Sequence, residues 1–406
     1  MTIPNLRLAE LVSAYAARVH PFIAKADTAV VSPLGMWLLL AAVAPVTDKA
    51  TRPALEDALG CACDEAEALA KQFDATLPAG LRNAVALWSN EVKGELAERW
   101  AKALPASAEV GGLPSNEVAD AWAKNHTDGL ITEFPIKIDN LTRLVLATAV
   151  ATIGTWTKPY NQVTAKFATR DSSPWHDSEH QFITASRGVA LDCIVRLATG
   201  ELVAVHRSIT TDGTTVYSVA SDTTTPAGLN NALDIANAVR NGTVESMIVD
   251  PWTLELGNAA NWTVTERVGK ADNSGDVLTE TCYLPEWSVS ASHDLLQDPA
   301  TGMEAAVLAV LSAIGDAPEG DEAKAVQDVV ATYSATGFSA AAITSLAVQA
   351  RGMLPEHEFD VRYRTVKYYF DRPYAVVACT PADVGLVPLF TAWVSEPSTV
   401  TTDVLR

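Results

Sequence analysis

Gly337-Phe-Ser-Ala-Ala-Ala-Ile-Thr-Ser-Leu-Ala-Val-Gln-Ala350 is the stretch on which the reading of this 406-residue sequence turns. It carries no charge and no proline, so all of it could join a sheet buried on both faces without a missing hydrogen bond or a stranded ion. Successive side chains of an extended strand point to opposite faces. Phe338, Ala340, Ala342, Thr344, Leu346 and Val348 would then face inward, and Ser339, Ala341, Ile343, Ser345, Ala347 and Gln349 outward. The inner set is the more apolar, with Ile343 the exception. The same composition also suits an Ala-rich surface helix. At its end stand Arg351 and Gly352, which a bland reading leaves in a solvated loop.

Working outward, the first 155 residues read mainly as helices, with apolar residues at helical spacing over 9–24, 33–44, 51–59, 65–76 and 117–130. From about Phe167 short β-branched and aromatic runs take over, such as 200–206 and 214–219, bounded by Gly, Asn, Asp and Thr. Helical spacing returns over 228–239 and 302–314, and the chain closes on strand-like runs at 375–379 and 387–394. The alternating Phe359, Val361 and Tyr363 suggest a further strand or hairpin after the loop. The class is α+β, helices leading and antiparallel sheets following, in one domain over 1–406.

Composition narrows the function. Hydrophobic residues make up 48% and charged residues 19%, enough to bury a large core. Against 29 Lys and Arg stand 49 Asp and Glu, a net charge of −20 that repels nucleic acid and anionic lipid. No apolar run is long enough to cross a bilayer. Arg7 and Glu10 interrupt the N-terminal region where a signal peptide needs an apolar core. The five cysteines, Cys61, Cys63, Cys193, Cys282 and Cys379, read as buried small hydrophobes, and no second pair stands at zinc spacing.

Catalytic motifs fail one by one. There is no phosphate-binding Gly-rich loop and no dinucleotide fingerprint. Gly337-Phe-Ser339 lacks the closing glycine of a nucleophile elbow. His176-Asp-Ser-Glu-His180 gathers possible metal ligands but reads as a solvated connector. Four Asn-x-Thr sites, at Asn125, Asn140, Asn241 and Asn261, are chance matches in a Thr-rich chain. The expectation is a protein that is not an enzyme and needs no metal or cofactor.

Several motifs in order resemble the serpin family. Ser32-Pro-Leu-Gly-Met-Trp-Leu38 with its trailing 51–60 segment resembles Ser-Pro-Leu-Ser-Ile and its helix. Asp120-Ala-Trp122 through Thr127, Gly129 and Ile131 is similar to the family's Asn-x-Trp…Thr-x-Gly-x-Ile helix, and 144–160 to Leu-Val-Leu-x-Asn-Ala…Gly-x-Trp-x-x-Pro-Phe. Leu284-Pro-Glu-Trp287, Phe370-Asp-Arg-Pro373 and Pro388-Leu-Phe390 to Pro397 resemble later motifs. The resemblance implies three β-sheets, about nine helices and an exposed reactive loop within 334–358.

It also implies a mechanism. Ala335, Gly337, Phe338, Ser339, Ala340, Ala341 and Ala342 stand at the hinge, and Arg351–Gly352 at the scissile bond, with Met353–Leu354 as second candidate. Arg351 would suit a trypsin-like serine protease, trapped when the cleaved loop inserts into the main sheet of a metastable, monomeric inhibitor. Ser32, Gly35 and Thr148 stand at the shutter, the latter two replacing family Ser and Asn, and Ala335 replaces a hinge Glu. Phe338 stands where inhibitors carry a small residue, and seating its ring in a small slot costs roughly 1–3 kcal/mol. These departures favour the alternative, a non-inhibitory binding or structural protein of the same fold. Family resemblance points to an extracellular location, the N-terminus to the cytoplasm.

Overall fold

The computed structural model describes residues 3–23, 29–152, 154–166, 173–175, 179–186, 191–222, 225–271, 274–315, 322–338 and 359–397. Among them are eight α-helices: α1 (Leu6–Ile23), α2 (Pro33–Val43), α3 (Arg52–Leu59), α4 (Cys63–Asp74), α5 (Gly94–Ala103), α6 (Asn116–His126), α7 (Thr225–Arg240) and α8 (Met303–Ile314). The expected helices lie within these spans, give or take a few residues, and α5 is additional. Helix α2 is buried at every position. It starts where Ser32 caps it, accepting the Gly35 N–H at 3.1 Å, with Pro33 in the first turn where no donor is needed.

Three sheets follow. The main sheet runs β3 (Ala108–Gly111), β2 (Leu81–Trp88), β4 (Thr142–Thr152), β16 (Glu322–Tyr333), with β15 (Trp287–Asp294) beyond. The second contains β1 (Ala29–Val31), β20 (Pro388–Val394), β19 (Tyr374–Cys379), β10 (Thr215–Ala220), β9 (Leu202–Ile209), β8 (Leu191–Arg196) and β11 (Ile248–Val249) in that order. The third runs β12 (Gly257–Asn258), β13 (Trp262–Ala271), β18 (Phe359–Tyr369), β14 (Val277–Pro285), β7 (Glu179–Ser186), β6 (Asn161–Lys166). The pairings are mostly antiparallel; β2 with β3, β4 with β16, and β14 with β18 are parallel.

A helical front holds only in part, because β2, β3 and β4 lie within the first 155 residues. The reason is burial on both faces. On β4, Leu144, Leu146 and Val150 enter the main core with α2, while Val145, Ala147 and Ala149 join Trp88, Trp122 and Phe134 under α6. A strand covered on both sides reads as a continuous apolar run with no alternation to betray it.

Helix α6 lies across this sheet. Trp122 meets Trp88 edge-on at 5.3 Å, and Trp88 meets Phe134 at 5.4 Å. The turn after the helix is tied back by its own polar residues: the Ile131 N–H donates to Thr127 Oγ1 at 3.0 Å and the Phe134 N–H to Asp120 Oδ1 at 2.7 Å. Asp128 and Gly129 are the left-handed residues of that turn, at φ 50° and 82°. No described helix is long and apolar enough to cross a membrane.

Candidate functional site at the hinge and the strand seam

Strands β4 and β16 are parallel neighbours, in register from Leu144–Ala323 to Ala149–Asp328. Their direct pairing ends there. Above it a two-residue strand, β17 (Gly337–Phe338), pairs with Tyr333 of β16 on one side and with β5 (Gly154–Thr155) on the other. The sheet is closed along its lower half and wedged at its upper end. A Cβ at position 337 would run into the Gly154 carbonyl, so only glycine allows this approach.

The five residues 334–338 are therefore not an exposed loop, which corrects the expectation for that part of 334–358. Ala335 and Phe338 are only 5% and 3% exposed. Nearly every backbone group there is used. The Trp156 indole donates to the Ser334 carbonyl at 2.8 Å, its N–H to the Thr336 carbonyl at 3.0 Å, and the Tyr160 N–H to the Ala335 carbonyl at 2.9 Å. The Ala335 N–H donates to buried Glu286 at 2.6 Å, and Gln162 donates to the same carboxylate at 3.0 and 3.1 Å. Phe338 packs with its ring 6.4 Å from those of Trp287 and Phe390. The slot already holds an aromatic ring, so the overpacking expected for Phe338 is relieved by the residues around it.

Beneath the hinge lies a buried polar cluster. His206 on β9 contacts Asp192 on β8 at 2.6 Å through Nδ1 and Ser208 at 3.0 Å through Nε2. Ser208 Oγ also meets the Tyr160 hydroxyl at 2.8 Å and the Tyr333 hydroxyl at 2.6 Å. Burial raises the pKa of both tyrosines, Tyr160 to about 12, so both keep their protons. The Tyr160 hydroxyl donates to Ser208 Oγ, which joins the Tyr333 hydroxyl to His206 and through it to Asp192. Cys282 brings its sulfur within 4.8 Å of the ligand atoms of Asp192 and His206. Burial, then the Asp192 charge, keeps that thiol protonated.

Midway down the seam, Ser32, Gly35 and Thr148 come together with Gln327. Gln327 accepts the Ser32 N–H at 2.9 Å and donates to the Ser32 carbonyl at 3.0 Å, while Ser32 Oγ donates to the Leu389 carbonyl at 2.7 Å. A Cβ on Gly35 would lie 2.8 Å from Val150 and 2.9 Å from Thr148 Oγ1, so α2 reaches the sheet only through glycine. The register Val85–Thr148–Gln327–His293 makes a row across four strands. His293 donates to the Val30 carbonyl at 2.7 Å. Thr148 Oγ1 is buried and has no hydrogen-bond partner. Gln327 and Glu286 carry no local sequence signal of these roles: Gln327 stands beside the equally polar Asp328 in β16, and Glu286 falls between β14 and β15.

Ser339, Ala340, Ala341 and Ala342 of the hinge, and Arg351, Gly352, Met353 and Leu354, lie outside the described residues. So do residues 176–178; Glu179 and His180 open strand β7 rather than a connector. All five cysteines are buried free thiols, and burial pushes Cys61 up to about 11 and Cys193 and Cys379 up to about 12.

Residues 12–174 match a family model described as Serpin (serine protease inhibitor). Among solved structures, Serpin48 of the insect Tenebrio molitor aligns over 98% of this chain and 100% of its own, at TM-score 0.64 and 14% identity. Human thyroxine-binding globulin complexed with thyroxine aligns over 97% and 99%, at TM-score 0.68 and 13% identity. Tengpin, a thermophilic serpin in its native state, aligns over 98% and 95%, at TM-score 0.65 and 14% identity. No curated protein matches by sequence.

Proposed function

We propose that this chain, whose residues 12–174 match the serpin family model and whose fold is that of serpins, is a serpin that inhibits a trypsin-like serine protease by offering Arg351–Gly352 as bait and inserting the cleaved loop into the main sheet. The observation that carries this reading is the seam. Two parallel strands, β4 and β16, lie side by side with a loop-derived wedge, Gly337–Phe338, already between β16 and β5. The uncharged, proline-free segment 337–350 supplies side chains that such a slot can bury.

In the proposed sequence the protease serine attacks the Arg351 carbonyl, the bond to Gly352 breaks, and the new amine leaves on Gly352 with the proton passed by the protease's own base. The acyl link to Arg351 holds while the segment from Ser339 onward zips between β4 and β16, outrunning hydrolysis. Each zipped residue exchanges one strand-to-strand ladder for two, and that gain drives the step.

A second reading, a non-inhibitory binding protein, has one observation in its favour. The anchoring of 334–338 by Trp156, Tyr160 and Glu286 fixes the hinge as firmly as a structural element. The test is incubation with trypsin, followed by denaturing gels and sequencing of any new N-terminus. A boiling-resistant complex and a terminus at Gly352 are expected, together with a cleaved form that melts above the intact one. A terminus at Leu354 would move the bait to Met353. Clean cleavage with no complex and no rise in melting temperature would overturn the proposal in favour of the second reading.

A further inference from the structure

Asp192, His206 and Cys282 come from β8, β9 and β14, strands of two different sheets. Asp192 and His206 stand directly opposite each other across the β8–β9 ladder, so their side chains share a face. Cys282 meets them from the third sheet, where ladders to β7 and β18 hold its strand on both sides. A carboxylate oxygen, a ring nitrogen and the sulfur all lie within 4.8 Å of one another. No local spacing announces such a set, because only the packing of the sheets assembles it.

The three donors are buried. His206 and Cys282 are each 1% exposed, and the Asp192 side chain 6%. Among the described residues the His206 ring is the only ion-pair partner of Asp192, and no lysine or arginine stands within reach of it. A buried carboxylate with so little compensation attracts a cation. A divalent ion held by one carboxylate and one thiolate closes the site at zero net charge, the state a dry interior tolerates best.

The donors select the ion. Sulfur and imidazole suit zinc and its neighbours, whereas magnesium and calcium take oxygen ligands. Around zinc, at bond lengths of about 2.0–2.3 Å, tetrahedral donors stand about 3.6 Å apart. The Asp192–His206 contact of 2.6 Å would open by about 1 Å, and the wider separations would close by about as much. The second shell is in place. An ion on Nδ1 leaves the ring proton on Nε2, where Ser208 Oγ stands at 3.0 Å to accept it, the support a ligating histidine usually has. Ser208 can accept that proton and the Tyr160 hydroxyl's while giving its own to Tyr333.

We infer that Asp192, His206 and Cys282 form a binding site for a thiophilic divalent cation of the zinc class. On binding, the Cys282 proton leaves to solvent as the Sγ–metal bond forms, and a water or the second Asp192 oxygen takes the fourth corner. The Tyr160 N–H holds the Ala335 carbonyl and Tyr333 pairs with Phe338, so an occupied site braces the hinge from below. The site stands whether or not the loop inserts.

The test produces the full chain in medium supplemented with Zn2+ or Co2+, so that the site fills as the chain folds, and purifies it with a phosphine as reductant. One retained equivalent of metal is expected, with a thiolate-to-cobalt absorption band and a single sulfur neighbour in X-ray absorption. Removing zinc with a chelator should lower the melting temperature. Cys282→Ala and His206→Gln should each cut the retained metal at least tenfold, and Ser208→Ala should weaken zinc by about 10–100-fold in chelator competition. Cys61→Ala with Cys63→Ala should change neither metal content nor band. Melts of the metal-free variants confirm that they fold, and the sulfur count decides the matter where one does not. No retained metal, two sulfur neighbours or none, retention that survives Cys282→Ala, or equal retention of Mg2+ would overturn the inference.

Discussion

At Thr148 a buried hydroxyl stands in the middle of the seam with no partner. Leaving such a group unpaired costs about 1–3 kcal/mol, and the cost falls on the closed, uninserted sheet. Thr148→Val keeps the shape and removes the orphan, so it should stabilise the intact protein by about 1 kcal/mol in chemical denaturation. In the inhibitor reading the same change should slow complex formation with trypsin, because the closed seam is what must open. Unchanged or lower stability would mean that the hydroxyl finds a partner by rearranging. Ser32, Gly35 and Thr148 were legible because they sit in motifs, whereas Gln327 was not. Its partner Ser32 is 295 residues away, and no local pattern in Ala325-Val-Gln-Asp-Val-Val330 says that the glutamine turns inward. Phe338 was read as an obstacle because the sequence does not show Trp287 and Phe390 arriving around it.

Among the elements, α1 and α7 meet over a histidine. His20 is fully buried, contacts Asn230 at 2.6 Å through Nδ1, and leaves Nε2 without a partner. Burial lowers its pKa from 6.5 to about 4, only partly opposed by the Asn230 hydrogen bond. The unfolded chain therefore takes up a proton below pH 6.5 that the folded chain refuses until about pH 4. Stability from this site is complete above pH 6.5 and falls as pH drops toward 4, by at most roughly 1.4 kcal/mol per pH unit. His293, lowered by burial, adds loss in the same direction, while Asp234 and Asp328, raised by burial, oppose it. Denaturant melts from pH 7 to pH 5 should show the loss, and His20→Gln should make the profile flatter. An unchanged slope in that variant would assign the acid sensitivity elsewhere. Helical periodicity located seven of the eight helices, while β2 and β4 escaped because residues buried on both faces carry no period.

Over the whole molecule, class and chain order were legible but long-range pairing was not. Nothing local in 322–333 says that it lies beside 142–152, some 180 residues earlier; the ordered motifs supplied that arrangement through resemblance. The C-terminal portion shows how far such pairing reaches. Strand β18 is paired along both edges, with β13 and β14; β19 lies between β10 and β20, and β20 between β19 and β1. A cut at 351–352 would leave these three strands woven into two sheets. The cut protein should elute as one particle in size-exclusion chromatography and part only in denaturant, and release of a free C-terminal peptide under native conditions would contradict this. The same weave makes the chain a natural two-piece protein. Residues 1–351 and 352–406, made separately, would each hold one side of the ladders that β18 makes with β13 and β14, β19 with β10 and β20 with β1, and their reassembly would report on the state of the sheets like a split reporter.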